Sequence, residues 1–301
     1  MKKKAFVEKT AKLIFLICAI VAIFAVCAIT LYMFIKGVPA LKEIGVLELL
    51  FGSVWKPTAA TPSYGILYII LASVIGTLLA LLIGVPVGLL TAVFLSEIAG
   101  KRLSAIVGGA VELLAAIPSV IYGLIGMMVL NPFMYKLEKI VFAGDNNHQF
   151  TGGANMLSAI IVLAIMVLPT VISVSTSALK AVPDSLRAAS LALGATKEQT
   201  IFKIVILSAK SGILTGVVLG IGRALGEAMA INMVAGGAVN IPLPFNSVRT
   251  LTTQIVSEMG YAQGIHRQVL FTVGMVLYVF IMIVNFILLK IRRSSSLEER
   301  R

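Results

Sequence analysis

Apolar positions fall in six long blocks, at 13–35, 66–95, 105–130, 157–179, 213–235 and 269–289. Each is long enough to cross a bilayer, for which about 20 residues suffice. The pattern predicts an all-α integral membrane protein with six transmembrane helices. Residues 1–12 and 291–301 form charged termini around a membrane domain spanning 13–290. The first block is longer than the apolar core of a cleaved signal, so it reads as a retained helix. Pro86, Pro118 and Pro169 lie inside the second, third and fourth blocks and mark kinks or breaks.

The polar segments differ in character. Residues 36–64 combine charges with Trp55, Pro57 and Pro62, and suggest an external segment with a short interfacial helix near 46–51. Trp55 suits the headgroup level. Residues 131–156 read as an external polar loop, with His148 as a solvated loop histidine. The 180–211 segment is amphipathic. Pro183 and Asp184 open a helix there, with Asp184 as its N-cap, and Gly194 ends it. Thr196 with Gln199 makes a capping box for a second helix. This segment is therefore expected to be a helix–turn–helix elbow, suited to docking a soluble partner or serving as an ordinary surface helix pair.

Charge then fixes the orientation. Seventeen of the 25 Lys and Arg residues lie in the termini, at 101–102 and in the 180–211 loop, against seven in the remaining loops. Positive residues stay inside, so both termini and that loop are expected in the cytoplasm of a multi-pass cytoplasmic (inner) membrane protein. The composition, 59% hydrophobic and 13% charged, excludes an ordinary soluble domain. The net charge of +12 flanks the spans and forms no basic face, so no nucleic acid partner is expected. Cys18 and Cys27 both lie in the first block and suggest neither a disulfide framework nor a metal site. No P-loop pattern occurs, so ATP hydrolysis would belong to another chain. No catalytic residue, metal ligand or cofactor is expected.

Two spans carry charge. Arg223 and Glu227, in the run GVVLGIGRALGEAMAINMV (216–234), stand four residues apart, which on a continuous helix puts them on one face within reach of each other. Intramembrane charge marks function by default, although a pair that only neutralises itself and locks packing fits the same spacing. Gly216, Gly220, Gly222 and Gly226 supply small-xxx-small spacings for close helix approach. Glu112 lies toward the cytoplasmic end of the third block, where a carboxylate snorkelling to water is the simpler reading.

The run AASLALGATKEQTIFKIVI resembles the cytoplasmic EAA loop of ABC importer permeases. Ala188, Ala189 and Ser190 occupy its first three positions, and Gly194, followed by Ala195, its glycine turn. Ala188 stands where that family has Glu and Leu207 where it has Pro, so position 188 supplies no docking carboxylate. Residues 55–66, 111–126, 157–173, 178–196, 211–234 and 250–259 together resemble the PstC-type permeases of the bacterial phosphate importer, with GRALGEAMA the distinguishing run. That resemblance implies a type I ABC importer fold and ATP-driven import of inorganic phosphate. The implied partners are a PstA-like second permease, a PstB-like ATP-binding subunit dimer, a PstS-like extracytoplasmic phosphate-binding protein and the lipid bilayer. It implies coupling to the ATPase through Ala188, Ala189, Ser190, Gly194 and Ala195, and a substrate pathway through Arg223 and Glu227. Residue chemistry alone leaves open molybdate or sulfate as substrate, or a secondary transporter using Glu112 or Glu227 as a proton relay. The elbow argues against the secondary transporter.

Overall fold

A computed structural model describes residues 2–145 and 147–298. Among these residues, five helices are long and apolar enough to cross a membrane, and the pair 197–208 and 210–226, bent by 68°, makes a sixth where the two count as one span. The bundle begins with α1 (Lys2–Ile44), which lies against α14 and keeps most of its apolar surface exposed. Helix α2 (Val46–Phe51) and the hairpin β1 (Trp55–Lys56) and β2 (Ser63–Tyr64) follow, so the expected interfacial helix is present.

Helix α3 (Leu67–Val93) continues through a π-helical turn to Ile98, and Pro86 leaves it unbroken. Helix α7 (Met156–Lys180) is the centre of the molecule. Fourteen of its 25 residues are buried, and α3 packs closely along it. The contact is tight because small residues allow it: a Cβ on Gly84 would sit 3.1 Å from the Ala164 carbonyl oxygen.

The third span departs from its sequence pattern. Helix α4 (Lys101–Ala116) stops where Pro118 forces Ile117 into extended backbone. Helix α5 (Ser119–Ile125), a π turn and α6 (Asn131–Val141) then carry the chain onward. The long apolar crossing is therefore Ser119–Val141, not 105–130, and the first part of the expected 131–156 loop is helical.

The elbow forms as the sequence suggests. Helix α8 (Asp184–Ala192) is followed by Gly194 at φ +84°, and α9 (Lys197–Thr200) begins with the Thr196–Gln199 capping box. Pro183 is the N-cap, and Asp184 is the first helical residue. A π turn and α10 (Ile206–Ser208) lead to α11 (Lys210–Gly226), which packs on α7. Glu227 and Ala228 then interrupt the helix before α12 (Met229–Val234). A loop pinned by a bridge between Gly236 and Val248 leads to α13 (Leu251–Glu258) and α14 (Gly264–Glu298). Helix α14 runs through most of the expected charged tail, while residues 299–301 and Asn146 of the 131–156 loop lie outside the described residues.

Candidate functional site

The break in the fifth span separates Arg223 from Glu227. Arg223 sits in the last turn of α11, and Glu227 caps that helix in extended backbone, at φ −73° and ψ 126°. The i, i+4 geometry expected of a continuous helix is lost, and no ion pair joins the two among the described residues. The reason is local: Glu227 is used by the break itself. Its Oε1 accepts the Ala230 amide at 3.0 Å, and its carbonyl oxygen accepts the Thr252 hydroxyl at 2.7 Å. Both bonds satisfy groups that the interrupted helix would otherwise leave open. Arg223 is left with a buried Nε that has no hydrogen-bond partner.

The surroundings sort the glycines of this run by role. A Cβ at Gly216 or Gly220 would press on Val174 at 3.2 Å or Val167 at 3.0 Å, so these two seat α11 on α7. Gly222 and Gly226 have nothing within 4 Å of a Cβ position, so they flank Arg223 with open space. The half-helices α12 and α13 run parallel beside that space, joined by two polar rungs of equal offset. Thr252 bonds to Glu227, and the Ser257 hydroxyl bonds to Asn232 Oδ1 at 2.9 Å, each 25 residues apart. Their N-termini, and hence the positive ends of their dipoles, lie at the level of Glu227.

At the elbow, Ala188, Ala189 and Gly194 are exposed, while Ser190 and Ala195 are half-buried. The Ser190 hydroxyl pairs with that of Thr200 at 2.9 Å and holds α8 against α9. No residue of α8 is buried, and Leu193 is 89% exposed. The elbow therefore presents an apolar tip on its exposed side.

Sequence reasoning missed the residue that holds this elbow. Arg187 makes a bidentate pair with Glu97, Nη2 to Oε1 at 2.8 Å and Nε to Oε2 at 3.2 Å. It also donates to the carbonyls of Leu179 and Val182 and to Asp184 Oδ1. One guanidinium thus ties α8 to the ends of α7 and of the α3 span. Hydrogen bonding and charge from Glu97 raise the Arg187 pKa further above its ordinary value. The partners stand 90 residues apart, so nothing local in the sequence points to the pair.

Two more polar knots close the opposite end. Glu138 is fully buried and takes the Thr151 amide and hydroxyl and His148 Nε2, the last at 2.9 Å. His148 stacks on Phe142 with ring centroids 3.7 Å apart, so it is packed, not solvated. Glu258, 4% exposed, takes Trp55 Nε1, Arg249 Nη1 and His266 Nε2. Trp55 is therefore engaged with a carboxylate and joins the hairpin to α13.

Comparison with known proteins follows the same outline. The family model for the binding-protein-dependent transport system inner membrane component matches residues 84–294. The probable ABC transporter permease protein YqgH of Bacillus subtilis is 37% identical over 93% of this chain and 90% of its own length. The phosphate transport system permease protein PstC of Xylella fastidiosa (strain 9a5c) is 35% identical over 90% and 87%. That of Pasteurella multocida is 35% identical over 76% and 74%. Among solved structures, a chain of a bacterial alginate ABC transporter superposes with TM-score 0.60 at 18% identity, covering 88% of this chain and 92% of its own. A chain of the inward-facing MetNI methionine ABC transporter gives 0.54 at 24%, covering 77% and 94%. At these identities the structural likeness speaks to fold alone.

Proposed function

Because the chain belongs to the binding-protein-dependent transport system inner membrane component family, we propose that its cargo is inorganic phosphate and that Arg223 and Glu227 line the route. The chain is a multi-pass membrane permease subunit of an ABC importer. It is not itself an enzyme, and it works with ATPase and binding-protein subunits. The relatives named PstC, at 31–35% identity, support phosphate as the substrate. The finer assignment of partners, a PstA-like permease, a PstB-like ATPase dimer and a PstS-like binding protein, follows the same relatives. The lysine and arginine asymmetry supports cytoplasmic termini.

The observation that carries the site is the unpartnered Arg223 Nε beside the break at Glu227. A guanidinium never deprotonates in a protein, and its planar fork matches a tetrahedral oxyanion. An arginine already paired with Glu227 would offer the anion less. Here the carboxylate is held by Ala230, so the cation is left available. At the elbow, the exposed faces of Ala188, Ala189 and Gly194, with the hydrophobic tip at Leu193, form the ATPase contact. Ser190 and Ala195 shape it from beneath.

The test is ATP-driven uptake of labelled phosphate by the reconstituted complex, with sulfate and molybdate as competitors. Arg223→Gln is expected to abolish uptake while the subunits still assemble. Equal competition by all three anions would remove phosphate as the specific cargo, and wild-type uptake by Arg223→Gln would remove Arg223 from the route.

A further inference from the structure

Beyond the break at Glu227, α12 and α13 share a polar seam. Of the residues MAINMV in α12, Ala230, Ile231 and Val234 are buried, while Asn232, the one polar residue, is exposed. Packing behind the helix fixes its level. Ile231 shares a small pocket with Ala159 and Leu163 of α7. Val234 and Val162 of α7 meet at Gly126, 2.7 and 3.0 Å from where its Cβ would stand. Those α7 residues lie roughly 5–10 Å inside a 25-residue apolar span. Asn232 therefore stands at span depth, on the exposed side of α12.

A primary amide turned to hydrocarbon is costly unless it is paired. Asn232 is half paired. Its Oδ1 accepts the Ser257 hydroxyl at 2.9 Å, and its Nδ2 makes no hydrogen bond among the described residues. Two N–H donors are left on the open side of the seam. A rung that only tied two helices could be made of hydroxyls alone, as Ser190 and Thr200 make one at the elbow. The amide adds donors that the tie does not use. The other rung of the seam, from Thr252 to the Glu227 carbonyl, lies at the break itself, which directly follows the last turn of α11 and its Arg223. From there α12 runs away from the elbow, toward the loop pinned by the Gly236–Val248 bridge.

We propose that Asn232 is an anion-contacting residue on the entry side of Arg223, and that Ser257 is its positioning residue. The inference rests on the phosphate reading above and on the cytoplasmic elbow. The two Nδ2 donors meet oxygens of the tetrahedral anion as it enters the seam. They carry no full charge, so they orient the anion without holding it against the pull of the guanidinium beyond the break. Ser257 occupies Oδ1, the face of the amide that would repel an oxyanion, and so turns the donor face outward. The same amide thus ties α12 to α13 with one atom and contacts cargo with the other.

The test uses the assembled complex in proteoliposomes, turning over with MgATP and the binding protein. Cys18 and Cys27 are changed to Ala, and Val256→Cys, at an exposed position of α13 beside Ser257, reports on the seam. The probe is a sulfonate-bearing methanethiosulfonate, itself an anion. It is expected to modify the thiol, and phosphate at ten times its dissociation constant to slow that reaction about tenfold by occupancy. Adding Asn232→Asp keeps an acceptor for Ser257 but replaces the donors with a negative oxygen, and should abolish the protection. Asn232→Leu, similar in size and without donors, should do the same and serves if the Asp variant does not assemble. Ser257→Ala breaks the tie and spares the donors, so protection should stay within about twofold of the parent. Equal loss in Ser257→Ala and Asn232→Asp would make the pair a helix tie only and overturn the proposal. A thiol that reacts with N-ethylmaleimide and not with the anionic probe would place the seam against lipid, and one that reacts with neither would bury it against another subunit; both outcomes overturn it. So does modification that ignores phosphate. Phosphate uptake by the wild-type complex separates the two ideas. Uptake without protection defeats only the role of Asn232, whereas absence of uptake with a working ATPase defeats the phosphate reading itself.

Discussion

At the scale of single residues, Glu227 does two jobs that substitutions separate. Its carboxylate accepts the Ala230 amide at the start of α12, and its charge lies four residues beyond Arg223, across the helix break. Glu227→Gln keeps an acceptor oxygen and removes the charge. Glu227→Ala removes both and leaves an amide unsatisfied, a loss of about 1 kcal/mol typical of a missing cap. Both variants are expected to lose phosphate uptake, and only the Ala variant to melt earlier in a thermal-shift measurement on the purified complex. Full uptake by Glu227→Gln would reduce Glu227 to a backbone device. Gly194 offers a similar separation. Its φ of +84° is costly for a β-branched residue, about 1–2 kcal/mol, yet nothing within 4 Å of its Cβ would clash. Gly194→Val should weaken co-purification of the ATPase, and Gly194→Asn, which tolerates this backbone, should preserve it. Equal recovery of ATPase with both variants would remove the turn from the docking surface.

At the scale of elements, the elbow depends on one side chain its own sequence does not advertise. Arg187 holds α8 to the end of the α3 span through Glu97. Removing one partner of a part-buried pair strands the other charge, at about 3 kcal/mol. Arg187→Ala is therefore expected to destabilise the elbow and to raise the ATP hydrolysed per phosphate moved. The exchange Arg187→Glu with Glu97→Arg should recover part of the coupling ratio, which a variant that merely unfolded would not. The linkage sign is simple: a raised pKa adds stability that is complete below the unfolded value and is lost only above it. Arginine's unfolded value lies far above neutrality, so the strap is insensitive to pH in the working range.

The same strap shows what was legible in sequence. The helical membrane architecture, the elbow, its capping box and its glycine turn were all readable, because hydrophobic blocks and turn chemistry act over a few residues. The continuity of the fifth span was misjudged. Nothing in GRALGEAMA forbids a helix, and the break depends on Thr252, 25 residues away, reaching the Glu227 carbonyl. The third crossing was displaced toward 119–141 because Pro118 ends α4 early and α6 continues into what composition alone labels a polar loop. Pairs separated by 90 or 203 residues, such as Arg187–Glu97 and Trp55–Glu258, leave no local trace.

At the scale of the whole molecule, buried charge collects at the two ends of the bundle. The Arg187–Glu97 strap closes one end, and the Glu138–His148 and Glu258–Arg249 knots close the other. The second end joins loops distant in sequence, since Glu258 alone gathers Trp55, Arg249 and His266. Trp55→Phe removes one of three partners and should cost about 1 kcal/mol. Glu258→Ala strands Arg249 and is expected to cost several times more, read as the difference in melting temperature of the two purified complexes. These knots also give the topology a sharp test. If the positive asymmetry orients the chain, the strap end faces the cytoplasm and the knot end faces outward. In a background with Cys18 and Cys27 changed to Ala, Ser185→Cys on exposed α8 should react with an impermeant maleimide only in inside-out vesicles. Asn147→Cys, on the exposed loop beside His148, should react only in right-side-out cells or spheroplasts. Labelling of both from the same side would overturn the orientation. The reverse pattern would place the elbow outside, where no ATPase can reach it, and would defeat the coupling role assigned to Ala188, Ala189 and Gly194.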